Sequence, residues 1–421
     1  MRPRLSLLAG LVVAVAALGG AGCSTRERAN PFDPANPNTG GAPPGFVALA
    51  GDGRIDLHWN AVPISGLQGY RLLRKTATDF SYVEISSLLP PQRVSYADVG
   101  LRNGLDHSYR LFFVFASGAD NAPPAEDTAT PGPVRPWVAE GSAGRLLGVT
   151  PDGRRIGIIH SGFDRPTAVA VDSVTGRVWF SDNFGGRVVS IGPLGATSII
   201  PGLVSPGALA AEPLHESVWV CDEQNNTVQE LTPNGTPLGP TIEPINTPIG
   251  IAIAQWDRSL WICERGADRL RRYASADSLI WSIPLTAPSR VATDSVAQRA
   301  WVTSFTTGRV HKVAPSGTEE GSFPGFQGPI GVAVDTRRGR IWVAEALGNQ
   351  ITVIDRSGTV LFRVTGLSET RDVALDPGTG EAWAVAPGSG QIIRIAPDGR
   401  VVRRITGLNN PYGVAVDPGR H

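Results

Sequence analysis

An all-β chain with most of its length closed into a ring of seven repeats is what this sequence predicts, on three observations. Seven tryptophans, Trp137, Trp179, Trp219, Trp261, Trp301, Trp342 and Trp383, recur at intervals of 42, 40, 42, 40, 41 and 41 residues. Seven alanines, Ala170, Ala210, Ala252, Ala292, Ala333, Ala374 and Ala415, keep the same period, and each but the last stands nine residues before a tryptophan. Composition agrees, because 50 glycines and 35 prolines beside 41% hydrophobic residues describe many short strands joined by turns. Four short strands in a repeat of this length make one blade, so residues 134–421 are expected to form a seven-bladed β-propeller.

Residues 1–23 read as an export signal: Arg2 and Arg4, an apolar run from Leu5 to Leu18, then small residues up to Cys23. That run is too short for a transmembrane helix, and no other stretch of eighteen apolar residues occurs. Gly20-Ala21-Gly22-Cys23 resembles the lipobox of bacterial lipoproteins, which implies lipidation of the Cys23 thiol after cleavage. The usual aliphatic residue three before the cysteine is Gly20 here, and secreted or periplasmic release is the alternative. Ser24 rather than an acidic residue follows Cys23, so the familiar inner-membrane retention signal is absent. The expectation is an extracytoplasmic monomer that meets the bacterial cell envelope only through an N-terminal lipid. Residues 24–42, rich in Pro, Asn and Gly, read as an extended spacer.

From 43 to 133, short alternating runs such as Ile55 to Trp59, Tyr70 to Arg74 and Tyr109 to Ala116 are separated by turn residues, which is the pattern of a β-sandwich. On Pro44, Ile55-Asp56-Leu57-His58-Trp59, Gly69-Tyr70-Arg71-Leu72 and Asn103-Gly104 ahead of Tyr109-Arg110-Leu111, the segment resembles a fibronectin type III domain. The resemblance implies that Trp59 is the core tryptophan between two sheets. It also implies that His107 stands where the family places a corner tyrosine. Modules of this kind are spacers or adhesive platforms.

Within each repeat the alanine lies in an apolar run, such as Val169-Ala170-Val171 or Val332-Ala333-Val334, and is expected on an innermost strand buried on both faces. Its small size is expected to relieve crowding at the central axis. The tryptophan marks a second strand and fills the wedge between diverging blades. A third strand, a glycine turn (Pro151-Asp152-Gly153, Pro233-Asn234-Gly235, Pro397-Asp398-Gly399) and an outer strand follow. Trp137 has no alanine strand before it and Ala415 no tryptophan after it, so the segment Gly413 to Asp417 is expected to complete the first blade and close the ring. Blade text such as Pro329-Ile330-Gly331-Val332-Ala333-Val334-Asp335 followed by Ile341-Trp342-Val343-Ala344-Glu345 resembles NHL-repeat and related YncE-like or streptogramin-lyase-like propellers. That superfamily holds scaffolds, lactonases and lyases alike.

Function must lie where the repeats disagree. Formal charge is zero, from 38 basic and 38 acidic residues, so no global field attracts nucleic acid. The six histidines, His58, His107, His160, His215, His311 and His421, fall on different parts of the fold, and no cofactor, metal site or catalytic group is expected from them. An acid three after the tryptophan, Glu140, Asp182, Asp222, Glu264 or Glu345, is expected to cap the turn that follows the second strand. Cys221 and Cys263 occupy one position in adjacent blades and are expected as small buried residues, not a disulfide. Arg290 and Arg371-Asp372 interrupt the apolar pattern at inner-strand starts, either as channel-facing polar groups or as a buried ion pair. Together with Phe184, Glu223, Arg265, Phe305 and Tyr412 they are the expected ligand-binding face. The expected function is non-catalytic binding of a protein or glycan at the propeller mouth. The alternative is a metal-dependent lactonase or lyase acting on a small extracellular ligand.

Overall fold

The computed structural model describes residues 41–417 except 52, 63–64, 104, 116–123, 133–134, 150–155 and 193–195. Cys23, the export signal, His421 and the Pro151-Asp152-Gly153 turn lie outside the described residues. Those described are β-strands, turns and two single turns of 3-10 helix, and no helix is long and apolar enough to cross a membrane.

Residues 47–129 form two antiparallel sheets. Val47–Gly51, Arg54–His58 and Ser95–Val99 make one, and Val83–Glu84, Leu67–Thr76, His107–Phe115 and Ala125–Ala129 the other. Alternate side chains from both, Ile55, Leu57, Tyr70, Leu72, Tyr109 and Leu111 among them, share one core with Trp59, whose indole meets the Tyr70 ring edge-on at 5.4 Å. His107 is buried and its Nδ1 lies 2.7 Å from the Leu105 carbonyl oxygen. The sequence left one polar group here unremarked. Tyr109 donates its hydroxyl to Asp98 at 2.8 Å, and the Arg74 guanidinium reaches both oxygens of that carboxylate at 2.9 Å. Burial, with the Asp98 charge next in weight, raises the Tyr109 hydroxyl far above its usual range, so it stays a donor.

Residues 135–417 form a succession of seven antiparallel sheets among the described residues. Each alanine of the ladder pairs directly with its tryptophan, as in Ala170↔Trp179, Ala252↔Trp261 and Ala333↔Trp342. Ala415↔Trp137 completes the set, because the strand Pro411–Asp417 pairs antiparallel with Arg135–Glu140. Each tryptophan packs against the next sheet: Trp137 on Val178 and Phe180, Trp179 on Val218 and Val220, and so on to Trp383 on Val138 and Leu147 of the first. The packing therefore runs round a closed circuit. Third-strand cations lie over several of these rings as direct cross-strand partners: Arg272 on Trp261 at 5.4 Å, Lys312 on Trp301 at 5.9 Å and Arg394 on Trp383 at 5.9 Å.

Several expectations are corrected. Close approach between neighbouring inner strands is not a matter of the ladder alanine alone, because it falls on the residue two before it. A Cβ on Gly250 would stand 2.7 Å from the Ser289 carbonyl oxygen, on Gly331 2.8 Å from that of Arg371, and on Gly413 2.4 Å from that of Thr167. Nor are both faces of the inner strands closed off, since Val169, Leu209, Ile251 and Val332 border an open channel mouth. The third sheet has three strands, Pro206–Glu212, Ser217–Asp222 and Thr227–Leu231, and its outer segment makes only the isolated bridges Val228↔Ile242 and Leu231↔Pro237. Pro237, Pro240 and Pro244 remove the N–H groups that a fourth ladder needs.

The acids that end the second strands cap a different loop from the one expected. Asp182 accepts the backbone N–H groups of Asp164 and Arg165 at 2.9 and 2.8 Å, and Asp222 those of Val204 and Ser205 at 2.9 and 2.7 Å. Glu264 takes Asn246 N–H at 2.7 Å, Glu345 takes Gln327 N–H at 2.6 Å, and Glu140 takes that of Asn409 across the ring closure. All precede the inner strand. The register explains it, because each acid lies opposite the proline that opens that strand: Pro166, Pro206, Pro248, Pro329 and Pro411. Three of these acids also pair with arginine, Glu140 with Arg145, Asp182 with Arg187 and Glu264 with Arg271. Asp222→Ala leaves the buried N–H of Ser205 and the part-buried N–H of Val204 without their acceptor and is expected to cost about 2–3 kcal/mol in a denaturant titration. Asp398→Ala, on an exposed turn, is expected to cost less than about 0.5 kcal/mol; equal losses would contradict the clamp.

Candidate functional site

The loops that enter the inner strands and those that leave the second strands gather at one mouth of the ring. Between them lies a cavity of about 760 Å³. Its floor includes Ala168, Ala208, Arg290 and Asp372, each two before a ladder alanine, the place that Gly250, Gly331 and Gly413 hold in the other sheets. The two large side chains in this ring each sit beside a glycine of the preceding sheet. The Arg290 Cα would be 3.0 Å from a Cβ on Gly250, and the Asp372 Cα 2.8 Å from one on Gly331. A bulky floor residue is therefore admitted where its neighbour has no side chain.

Seven of the eight residues singled out from the sequence line this cavity: Glu223, Arg265, Arg290, Phe305, Arg371, Asp372 and Tyr412. Phe184 is outside the lining, exposed on the rim with the Arg165 guanidinium 4.7 Å from its ring centroid. Arg165 was not anticipated. It lines the cavity, its backbone N–H is held by Asp182, and its guanidinium also lies 5.7 Å from the Tyr412 ring. Arg371 stands 4.3 Å over that same ring and donates to the Tyr412 hydroxyl. The only sequence signal for Arg165 was its place directly before a strand-opening proline.

The polar floor is not an ion pair. Asp372 accepts the N–H groups of Val373 at 3.0 Å and Val414 at 3.1 Å, which ties the last sheet to the closing strand, while Arg371 is engaged with Tyr412. Among the described residues the guanidinium groups of Arg290 and Arg265 form no hydrogen bond or ion pair. Loss of hydration raises the carboxyl of Asp372 above the usual range, opposed by the Val414 N–H and the Arg290 charge. Burial likewise raises Glu223, opposed by Arg290 and Arg265. Arg290 thus acts on both acids without being bonded to either.

Cys221 and Cys263 are buried, unpaired thiols in the second strands beneath this floor. Burial pushes the Cys263 thiol up to about 12 and raises that of Cys221 as well, so neither is poised as a nucleophile. Among the described residues no histidine lines the cavity. Among the described residues no group of three or more His, Cys, Asp or Glu is placed to hold a metal ion.

No family model matches the sequence, and no curated protein matches it. Among solved structures it is similar to virginiamycin B lyase of Staphylococcus aureus, at 19% identity over 59% of this chain and 87% of that one, with a TM-score of 0.52. A functionally unknown protein of Desulfotomaculum acetoxidans is similar at 18% identity over 67% and 98% of the two chains, with a TM-score of 0.59. A 6-phosphogluconolactonase-like protein of Bacteroides uniformis gives 12% identity, 67% and 99% coverage and a TM-score of 0.56. What these likenesses share with the chain is the β-propeller fold.

A folded-state carboxyl raised above its unfolded value contributes stability that is complete below about pH 4 and is lost as pH rises through the folded value. Asp372→Asn removes this titration and leaves one acceptor oxygen for the two N–H groups, so the parent's advantage over the variant in urea is expected to grow as pH falls from 7 towards about 4. An advantage that shrank as pH fell would contradict this account of the floor.

Proposed function

We propose that this chain is a seven-bladed β-propeller carried on a fibronectin type III-like sandwich, and that it serves as a binding protein of the bacterial cell envelope without catalysing a reaction. One observation carries this reading. Arginines from several sheets converge on a recessed mouth together with Tyr412 and Phe305, and the lining offers no histidine and no activated nucleophile. Preformed cavities of this size with a few convergent polar groups are ordinary ligand sites. Guanidinium groups set among carboxyls, with no nucleophile beside them, recognise a ligand more readily than they transform it. In this reading the spacer at residues 24–42 and lipidated Cys23 hold the sandwich and propeller away from the membrane, and the mouth meets a protein or glycan partner.

The test is affinity capture from native envelope with the full chain, set beside Arg371→Ala and Tyr412→Ala. A partner retained by the parent is expected to be lost by at least about tenfold in either variant, since each removes part of the Arg371–Tyr412–Arg165 stack. Retention unchanged in both variants would place the contact elsewhere. Stoichiometric tight metal together with turnover of a lactone or ester would instead establish the hydrolase or lyase alternative. Replacing Cys23 with Ala is expected to move the protein from the membrane fraction to the soluble fraction.

A further inference from the structure

The reading above leaves open what chemistry enters the mouth, and the following inference rests on it. The charges on the cavity wall are unequal in number and in engagement. Four arginines, Arg165, Arg265, Arg290 and Arg371, line it with three acids, Glu223, Glu369 and Asp372. Asp372 is occupied by two backbone N–H groups, and Glu223 is folded back over its own inner strand, where a Cβ on Gly207 would stand 2.1 Å from Oε1. The guanidinium groups of Arg290 and Arg265 carry no hydrogen bond or ion pair among the described residues. The surplus charge is therefore positive and forked, the form that matches a carboxylate in two parallel hydrogen bonds.

The lip beside these arginines has a different character. Phe305 is 37% exposed and Leu347 65%, and both close over Gly328, where a Cβ would meet them at 2.8 and 2.7 Å. Ser289 and Thr306 place hydroxyl groups along the same wall. An aromatic face, hydroxyl partners and an unpaired guanidinium in one recess suit a ligand with C–H faces, hydroxyl groups and an acid. A recess of about 760 Å³ holds the end of a chain about two or three rings long rather than a flat protein surface.

We propose that the mouth receives the acidic end of a glycan, with a uronate-type carboxylate docked on Arg290 and Arg265 and a ring face against Phe305. Titration calorimetry of the full chain with tri-galacturonate, and with maltotriose as an uncharged chain of equal ring count, tests it. Tri-galacturonate is expected to bind at least about tenfold more tightly than maltotriose, to lose at least about tenfold in Arg290→Met, and to lose severalfold in Phe305→Ala. Arg265→Ala, on an exposed turn, provides a second variant whose fold is not at risk, and it too is expected to weaken the acidic chain without affecting the neutral one. Equal binding of the two trisaccharides, or indifference to both arginine substitutions, would overturn the proposal. If neither trisaccharide binds while the envelope partner is still captured through Arg371 and Tyr412, the acidic glycan is wrong and the binding reading stands. If capture fails as well, both fall.

Discussion

A buried carboxylate at the end of the second strand, closed on the backbone of the loop that enters the inner strand, is the constraint on which the rest of this ring depends. Hydrogen bonds to an ionised acceptor are among the stronger ones available to a protein, and leaving their donors unmet in a dry site is costly. Asp182, Asp222, Glu264 and Glu345 each pin the entry loop of their own sheet. Glu140 does the same for Asn409, 269 residues away in sequence, so the device that shapes five of the seven sheets also secures the closure. Because the pinned loops form the mouth, scaffold and site are one construction. The clearest instance is Arg165, whose N–H belongs to the clamp and whose guanidinium belongs to the cavity.

The second constraint is space at the axis. Inner strands of adjacent sheets approach closely enough at Gly250, Gly331 and Gly413 that a methyl group would strike the neighbouring backbone. A large residue enters this ring only beside such a glycine, which is how Arg290 and Asp372 are admitted. Their polarity then has to be met locally. Asp372 is met by backbone N–H groups, and Arg290 remains open toward the cavity. Entry loops with left-handed residues at Thr247, Ala287, Glu369 and Asn410, with φ from 47° to 59°, turn the chain sharply into the inner strands. A non-glycine residue in that region costs about 1 kcal/mol or more, and Ala287 and Glu369 carry it on the cavity wall.

Much of the site was legible in the sequence because it breaks a regular pattern. Arg290 and Asp372 interrupt an otherwise small, apolar position, Glu223, Arg265 and Phe305 fall just beyond second-strand ends whose places the tryptophan ladder sets, and Tyr412 stands at the start of the closing strand. Phe184 stands one residue further from its tryptophan and lies on the rim outside the cavity, covered on one side by Arg165. Arg165 itself went unread, because an arginine in a loop carries no period and its direction depends on the Tyr412 ring from the far end of the chain.

The sequence by itself determined the seven-fold period, the pairing of the two ladders and the strand that completes the first sheet, because these follow from residue spacing along a pleated strand. Which atoms meet was decided only in three dimensions. The acids were expected to cap the turn that follows them, yet they take N–H groups 17 or 18 residues upstream, because antiparallel pairing sets each acid opposite the proline of the preceding strand. The alanines alone were expected to relieve crowding at the axis, yet glycines two residues earlier also stand where a side chain would strike the neighbouring inner strand. Spacing specifies which residues recur. The bulges at the inner-strand starts and the approach of one sheet to the next specify what each recurrence touches.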